Sequence, residues 1–313
     1  MTAYDDEFAL LHENAAEADL PWNGPPRVRR VFTSTGDQHV SALLWGNEPP
    51  RVVLLHGGGQ NAHTWDTLIL ALGWSAFAID LPGHGRSSWR PDHDYLPWVT
   101  ATDIVPLIRQ WASGPQMIVG MSLGGLTAIR LTAVAPDLVR QAVIVDVTPS
   151  AYLRQQSMTP IELGTTALVR GPTSFATFEE IVNLTAAAAP HRPLPSIRRG
   201  VRHNTRQRED GRWQWRYDQR RGLADFSPLW NDVSAATAPL TLVRGGASAF
   251  VTDEDAEEFL GRNPLAQVRT VPGAGHSVQS DAPLALADII RDVLDRPAEL
   301  HPRTRGFAGP ERT

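Results

Sequence analysis

Residues 116–134, QMIVGMSLGGLTAIRLTAV, set a Gly-x-Ser-x-Gly pattern between two different periodicities. The apolar run before it reads as a buried strand, and the segment after it carries apolar residues at helical spacing. Joining the two within a few residues requires a sharp strand-to-helix turn with Ser122 at its tip. Small residues on either side, Gly120 and Gly124, let the backbone pack that tightly. The turn lifts the Ser122 hydroxyl into the open. It also leaves the Leu123 N–H at a helix N-terminus, aimed where negative charge would develop on a substrate oxygen.

The rest of the chain repeats this alternation. RVRRVFTST and HVSALLW read as a hairpin around Gly36-Asp37. RVVLLHGGG, SAFAIDLPGHG, QMIVGMSLGG, QAVIVDVTP, LTLVRGG and QVRTVPGAGH follow as apolar runs ending in polar or glycine residues. The pattern predicts an α/β fold with a mostly parallel sheet flanked by helices, whose ligand site lies beyond the carboxyl ends of the strands. About 90 residues separate the strand ending at Asp146 from the one starting near Leu240, far more than a crossover needs. The expected organisation is an N-terminal extension (1–27), a core (28–147 and 237–296), a mainly helical inserted cap (148–236) and a loose tail (297–313).

Composition narrows the chemistry. With no cysteine there is no disulfide, thiolate metal site or cysteine nucleophile, and with no lysine there is no Schiff base. Hydrophobic residues at 42% and charged residues at 20% fit a soluble globular chain. A formal net charge of -5 gives no electrostatic reason to expect nucleic acid or an anionic membrane. The acidic start MTAYDDEFALLHENAAEADL lacks a basic n-region and a long apolar run, so the expected location is cytoplasmic, without a membrane span.

VPGAGHSVQSD supplies His276 in a glycine-rich loop after the last strand, where a neutral imidazole could take the serine proton and return it to a leaving group. His56, in LLHGGGQNAHTWD, is expected to shape the glycine loop, and His63 and His84 to have structural or substrate-facing roles. A phosphate-cradling loop is disfavoured, because no Gly-Lys-Ser/Thr follows the glycines.

HGGG, DLPGHGRS, GMSLGG and GAGHSV, in this order and spacing, resemble the α/β-hydrolase superfamily over about residues 28–296. More narrowly, HGGGQNAHTWD, GMSLGGLTAIR, VDVTPSA and GHSVQSD resemble a mycobacterial esterase of that superfamily. The resemblance implies a capped serine hydrolase acting on a small-molecule ester, with no metal or organic cofactor. It further implies a second oxyanion donor in the glycine loop, Gly58, with Gly59 as the fallback. Epoxide hydrolase and dehalogenase chemistry are disfavoured, because those relatives carry aspartate at the nucleophile turn.

The third member of a triad is the open point. Many capped α/β-hydrolases read Ser-Asp after the strand that here ends LVRGG, but this chain reads Ser248-Ala249, and alanine cannot hold an imidazole N–H. Asp253, Glu254 and Asp255 follow Thr252 in a helix-capping pattern. Asp146 ends the strand after the nucleophile, and the resemblance implies an acid there. A turn-capping role for Asp146 in Asp-x-Thr-Pro is the competing reading. Asp80 precedes the nucleophile and is expected to organise its own loop. The expected function is a serine carboxylesterase for small to medium acyl esters, using Ser122, His276 and Asp146 with the Gly58 and Leu123 amides. A C–C hydrolase, lactonase or lyase would show the same motifs, and a non-catalytic ligand-binding homologue would explain Ala249. Trp213, Trp215, Tyr217, Phe226 and Trp230 could line an acyl or alcohol pocket, or form an ordinary cap core.

Overall fold

The computed structural model describes residues 6–219 and 224–295. The tail expected at 297–313 lies outside them. Eight strands form one sheet in the order β1 (Val28–Thr35), β2 (Gln38–Trp45), β4 (Ala76–Asp80), β3 (Val52–Leu55), β5 (Gln116–Met121), β6 (Val139–Val145), β10 (Leu240–Gly245), β11 (Ala266–Val271). Thr35 pairs with Gln38 across the two-residue turn that Gly36-Asp37 signalled, and only β1–β2 and β2–β4 are antiparallel.

Both faces of the sheet are covered, which explains why the central strands read as continuous apolar runs. Alternation along β3 divides the core: Val53 and Leu55 join one buried cluster, Val52 and Leu54 the other. Helices α1 (Leu11–Glu17), α2 (Asp66–Leu72) and α12 (Pro283–Asp295) pack on the Val52 side. On the Val53 side lie α3 (Pro97–Trp111), α4 (Leu123–Val134), α9 (Leu229–Ala235) and α10 (Asp253–Arg262). Short helical turns α5 (Ala151–Gln155), α6 (Pro160–Leu163) and α11 (Val278–Asp281) complete the framework.

Between β6 and α9 the chain builds α7 (Phe178–Ala188), α8 (Leu194–Asn204) and a three-stranded antiparallel sheet of β7 (Ser174–Phe175), β9 (Trp213–Trp215) and β8 (Thr205–Gln207). Strands of two or three residues are too short to show a period of two, so sequence patterning gives no sign of them. A third apolar cluster joins Phe175, Ile181, Val182, Ile197, Val201, Trp215 and Tyr217. Phe226 and Trp230 pack instead in the main core on the α4 side. No described helix is long and apolar enough to cross a membrane.

Candidate active site

Strand register assembles the site. Met121 pairs with Val145 and Val145 with Val243, so Ser122 and Asp146, the residues after β5 and β6, emerge side by side next to the end of β10. Ser122 has φ 51°, a left-handed value that non-glycine residues seldom adopt, and its N–H donates to the Val145 carbonyl at 3.1 Å. A Cβ at Gly120 would lie 2.2 Å from the Gly124 carbonyl oxygen, and one at Gly124 would lie 2.1 Å from the Leu55 carbonyl oxygen. Both obstacles are backbone and cannot rotate away. Gly124→Ala is therefore expected to destabilise the fold by at least about 1–3 kcal/mol, read as a lower denaturation midpoint in urea. A wild-type midpoint would show that the turn relaxes more freely than this packing allows.

His276 comes from the loop after β11. Its Nε2 lies 3.2 Å from Ser122 Oγ and its Nδ1 lies 2.8 Å from Asp146 Oδ2. The carboxylate can only accept, so Nδ1–H donates to it and Nε2 is left to accept from the serine hydroxyl. Asp146 is fully buried at φ 52°. Its Oδ1 accepts from the Gly245 N–H at 2.8 Å and its Oδ2 also accepts a short hydrogen bond from the Ser248 hydroxyl. The loop that carries Ala249 thus holds the Asp146 carboxylate from one side. Phe250, one residue further on and fully buried, stacks on the His276 ring at 3.4 Å between centroids with 10° between planes.

The glycine loop after β3 runs against the nucleophile: a Cβ at Gly57 would stand 3.3 Å from Ser122 Cβ. Gln60 braces this loop, accepting the Gly57 N–H at 3.0 Å, while its amide reaches the Ser277 hydroxyl at 3.5 Å. The space around Gly58 is open, with no atom within 4 Å of where a Cβ would sit. Leu123 opens α4, and its N–H belongs to the first helical turn, which has no intrahelical acceptor. Sequence reasoning missed Gln60, Ser248 and Phe250; the only available signal was that Ser248 and Phe250 flank the position where an aspartate is usual.

The other polar candidates have structural partners. His56 Nε2 accepts from the Leu81 N–H at 2.9 Å and Nδ1 donates to the Gly57 carbonyl at 2.8 Å; burial, with His84 close by, pushes it down to about 3. His84 is likewise held below its ordinary value by burial and donates to the Pro82 carbonyl. Asp80 accepts from the Ala62 and Arg86 N–H groups and pairs with Arg30, organising its loop. Thr252 and Asp255 form a capping box at α10, and Asp253 pairs with Arg244 at 2.7 Å. For His63, burial opposes the charge, but Asp66 at 2.9 Å and Glu7 at 3.5 Å outweigh it and raise its pKa to about 9. His63 also stacks on His203, and with Asp66 the two histidines bring possible metal-ligating atoms within 4.8 Å of one another. The hydrogen bonds of His63 to Asp66 and Glu7 already engage both of its ring nitrogens.

A cavity of about 590 Å³ opens beside the glycine loop, lined by Gly58, Gln60, Leu168, Ile197, Trp215 and Tyr217 among others. Trp215 and Tyr217 therefore serve both as apolar core and as cavity wall.

Residues 52–289 match the model of the alpha/beta hydrolase family. The chain belongs to that family. Among its relatives, esterase Rv0045c of Mycobacterium tuberculosis is 54% identical over 292 residues, 93% of this chain and 96% of that protein. A crystal structure of the same esterase superposes with a TM-score of 0.82 at 52% identity, covering 93% of this chain and 98% of that one. The 2-(acetamidomethylene)succinate hydrolase of Mesorhizobium japonicum is 29% identical over 79% of this chain and 88% of that protein. Alpha/beta hydrolases carry a nucleophile, an acid and a histidine in that chain order, which is the order of Ser122, Asp146 and His276 here.

Proposed function

We propose that the chain is a serine carboxylesterase acting on small to medium acyl esters through an acyl-enzyme. The observation that carries this reading is the unbroken hydrogen-bond chain Ser122 Oγ···Nε2 His276 Nδ1···Asp146 Oδ2, at 3.2 and 2.8 Å. Ser122 Oγ attacks the ester carbonyl carbon while His276 Nε2 takes its proton. The carbonyl oxygen becomes an oxyanion between the Gly58 and Leu123 amides. Collapse of the tetrahedral species breaks the bond to the alcohol, which leaves with the proton from His276. Water then attacks the acyl-enzyme by the reverse route, His276 again moving the proton, and the acid departs. Asp146 holds the imidazole in the required tautomer and stabilises the cation formed at each transfer. The esterase activity named for the relative at 54% identity supports the same reaction class. Within the expected insertion at 148–236, we assign α7, α8 and the small sheet to a cap over the site, on the grounds that they share their own apolar cluster, whereas α9 packs in the main core.

A fluorophosphonate probe tests the nucleophile directly, because it reacts with an activated serine and leaves a covalent adduct. The wild-type chain should gain one adduct on the peptide containing Ser122, and Ser122→Ala should gain none. Labelling that persists in Ser122→Ala would remove the assignment.

A further inference from the structure

A second cavity, of about 840 Å³, lies between the core and the segment carrying α8, β8 and β9, and Ser122 does not line it. Seven arginines and three carboxylates do. Three of the arginines are matched: Arg30 by Glu7 and Asp80, Arg198 by Glu179, Arg199 by Glu13 and Glu17. Arg206 and Arg216 differ, for neither has a carboxylate partner among the described residues. Arg216 Nε donates to the Thr205 carbonyl at 2.9 Å, which fixes the side chain, and its two terminal nitrogens have no hydrogen-bond partner among the described residues. Arg206 is held by the Gln214 amide oxygen at 2.6 Å and lies over the Trp89 ring at 5.5 Å. Arg86 shares Glu7 with Arg30 and His63, so one carboxylate serves three cations.

We propose that Arg86, Arg206 and Arg216 form a binding site for a phosphate group, as a phosphate monoester or diphosphate. Three guanidinium groups arriving from three different segments suit a tetrahedral dianion with several acceptor oxygens better than a planar carboxylate. Two arginines without an acid, Arg216 half-buried and Arg206 exposed at the rim, leave positive charge in the cleft for such a dianion to neutralise. Burial first, and then the like charges of Arg86, Arg206 and Arg30, already hold Arg216 below its ordinary basicity. A bound anion relieves that repulsion. The site is also tied to the catalytic side: the Arg216 N–H donates to the Asn204 carbonyl at 2.8 Å, and the Asn204 amide donates to the Gly59 carbonyl at 2.6 Å. Asn61 and His203 line both cavities. A phosphate carried on the substrate or a free phosphate compound could therefore occupy it.

Calorimetric titration of the full chain with pyrophosphate at low ionic strength tests the site without needing turnover. Wild type should bind saturably, and Arg206→Gln and the Arg206→Gln/Arg216→Gln pair should each weaken binding by roughly tenfold or more. Arg109→Gln, at an exposed ion pair with Asp137, should bind as wild type does. Succinate should bind at least roughly tenfold more weakly than pyrophosphate. No saturable binding at millimolar pyrophosphate, equal binding by a folded double variant, or equal affinity for succinate would each overturn the proposal; Arg206 is exposed, so its single variant keeps the test open if the double one unfolds. A second arm rests on the esterase reading and identifies the source. A nitrophenyl ester with a terminal phosphate should show a lower KM than its uncharged analogue in wild type only if substrate brings the phosphate, and the double variant should abolish that difference. Equal KM values with pyrophosphate binding intact assign the site to a free phosphate ligand.

Discussion

Alanine at Ser122 or at His276 is expected to lower ester turnover by a factor of at least roughly a thousand while the melting temperature stays near that of wild type. The size follows from the way the two groups depend on each other. Without the Ser122 hydroxyl no acyl-enzyme forms. Without the imidazole the hydroxyl, 3.2 Å from Nε2, has no acceptor for its proton, and the leaving alcohol has no donor. Either loss alone disables both half-reactions, so the double variant should be little worse than either single one. Stability is spared because Ser122 is held by backbone, through the Val145 carbonyl and the close packing of Gly120 and Gly124, rather than by its hydroxyl. His276→Ala loses the stack on Phe250 and the hydrogen bond to Asp146, but the Gly245 N–H and the Ser248 hydroxyl still donate to that buried carboxylate. Initial rates on a nitrophenyl butyrate ester, with a thermal melt for each protein, give the comparison. Turnover near wild type in either variant would sink the proposed mechanism.

Much of this site could be read from the chain because its parts sit at strand ends, and strand ends are where apolar runs stop. Ser122 and Asp146 each follow a buried run directly, and the loop before His276 follows the edge strand β11, so their proximity was a consequence of topology. The residues that refine the site could not be read that way. Ser248 and Phe250 act across the gap between β10 and β6, and Gln60 acts between two loops, so no local period marks any of them. The small sheet of β7, β9 and β8 escaped for a related reason: each strand is shorter than the window in which alternation becomes visible. The arginine cavity was half visible. The run RRGVRHNTRQRED displayed the charge, but the acids that pair with Arg199, namely Glu13 and Glu17, lie nearly two hundred residues away.

The acid provides the sharpest division between the readings open at the sequence level. Asp146→Asn is expected to cut turnover by a factor of roughly a hundred to ten thousand. An asparagine can still offer an oxygen to Nδ1–H, but it carries no charge to stabilise the imidazolium. Its NH₂ must also face either His276 Nδ1, inverting the tautomer, or the Gly245 N–H, opposing a donor with a donor. Asp253→Asn removes a carboxylate whose side chain is 85% exposed and whose partner is Arg244, with no contact to the imidazole. That variant should lose a small helix-end charge interaction and keep its turnover. Geometry accommodates an acid at Asp146 under the proposed mechanism. β6 lies between β5 and β10, so an acid at its end sits one strand nearer the serine than an acid after β10 would, and the loop carrying His276 reaches it at 2.8 Å. The vacated position is then free to change. Ala249 costs nothing, because its neighbours Ser248 and Phe250 still hold Asp146 and the histidine ring from that loop. Measuring kcat for both asparagine variants, with melts to establish folding, decides between the two carboxylates: a crippled Asp253→Asn beside an active Asp146→Asn would return the acid to the loop after β10.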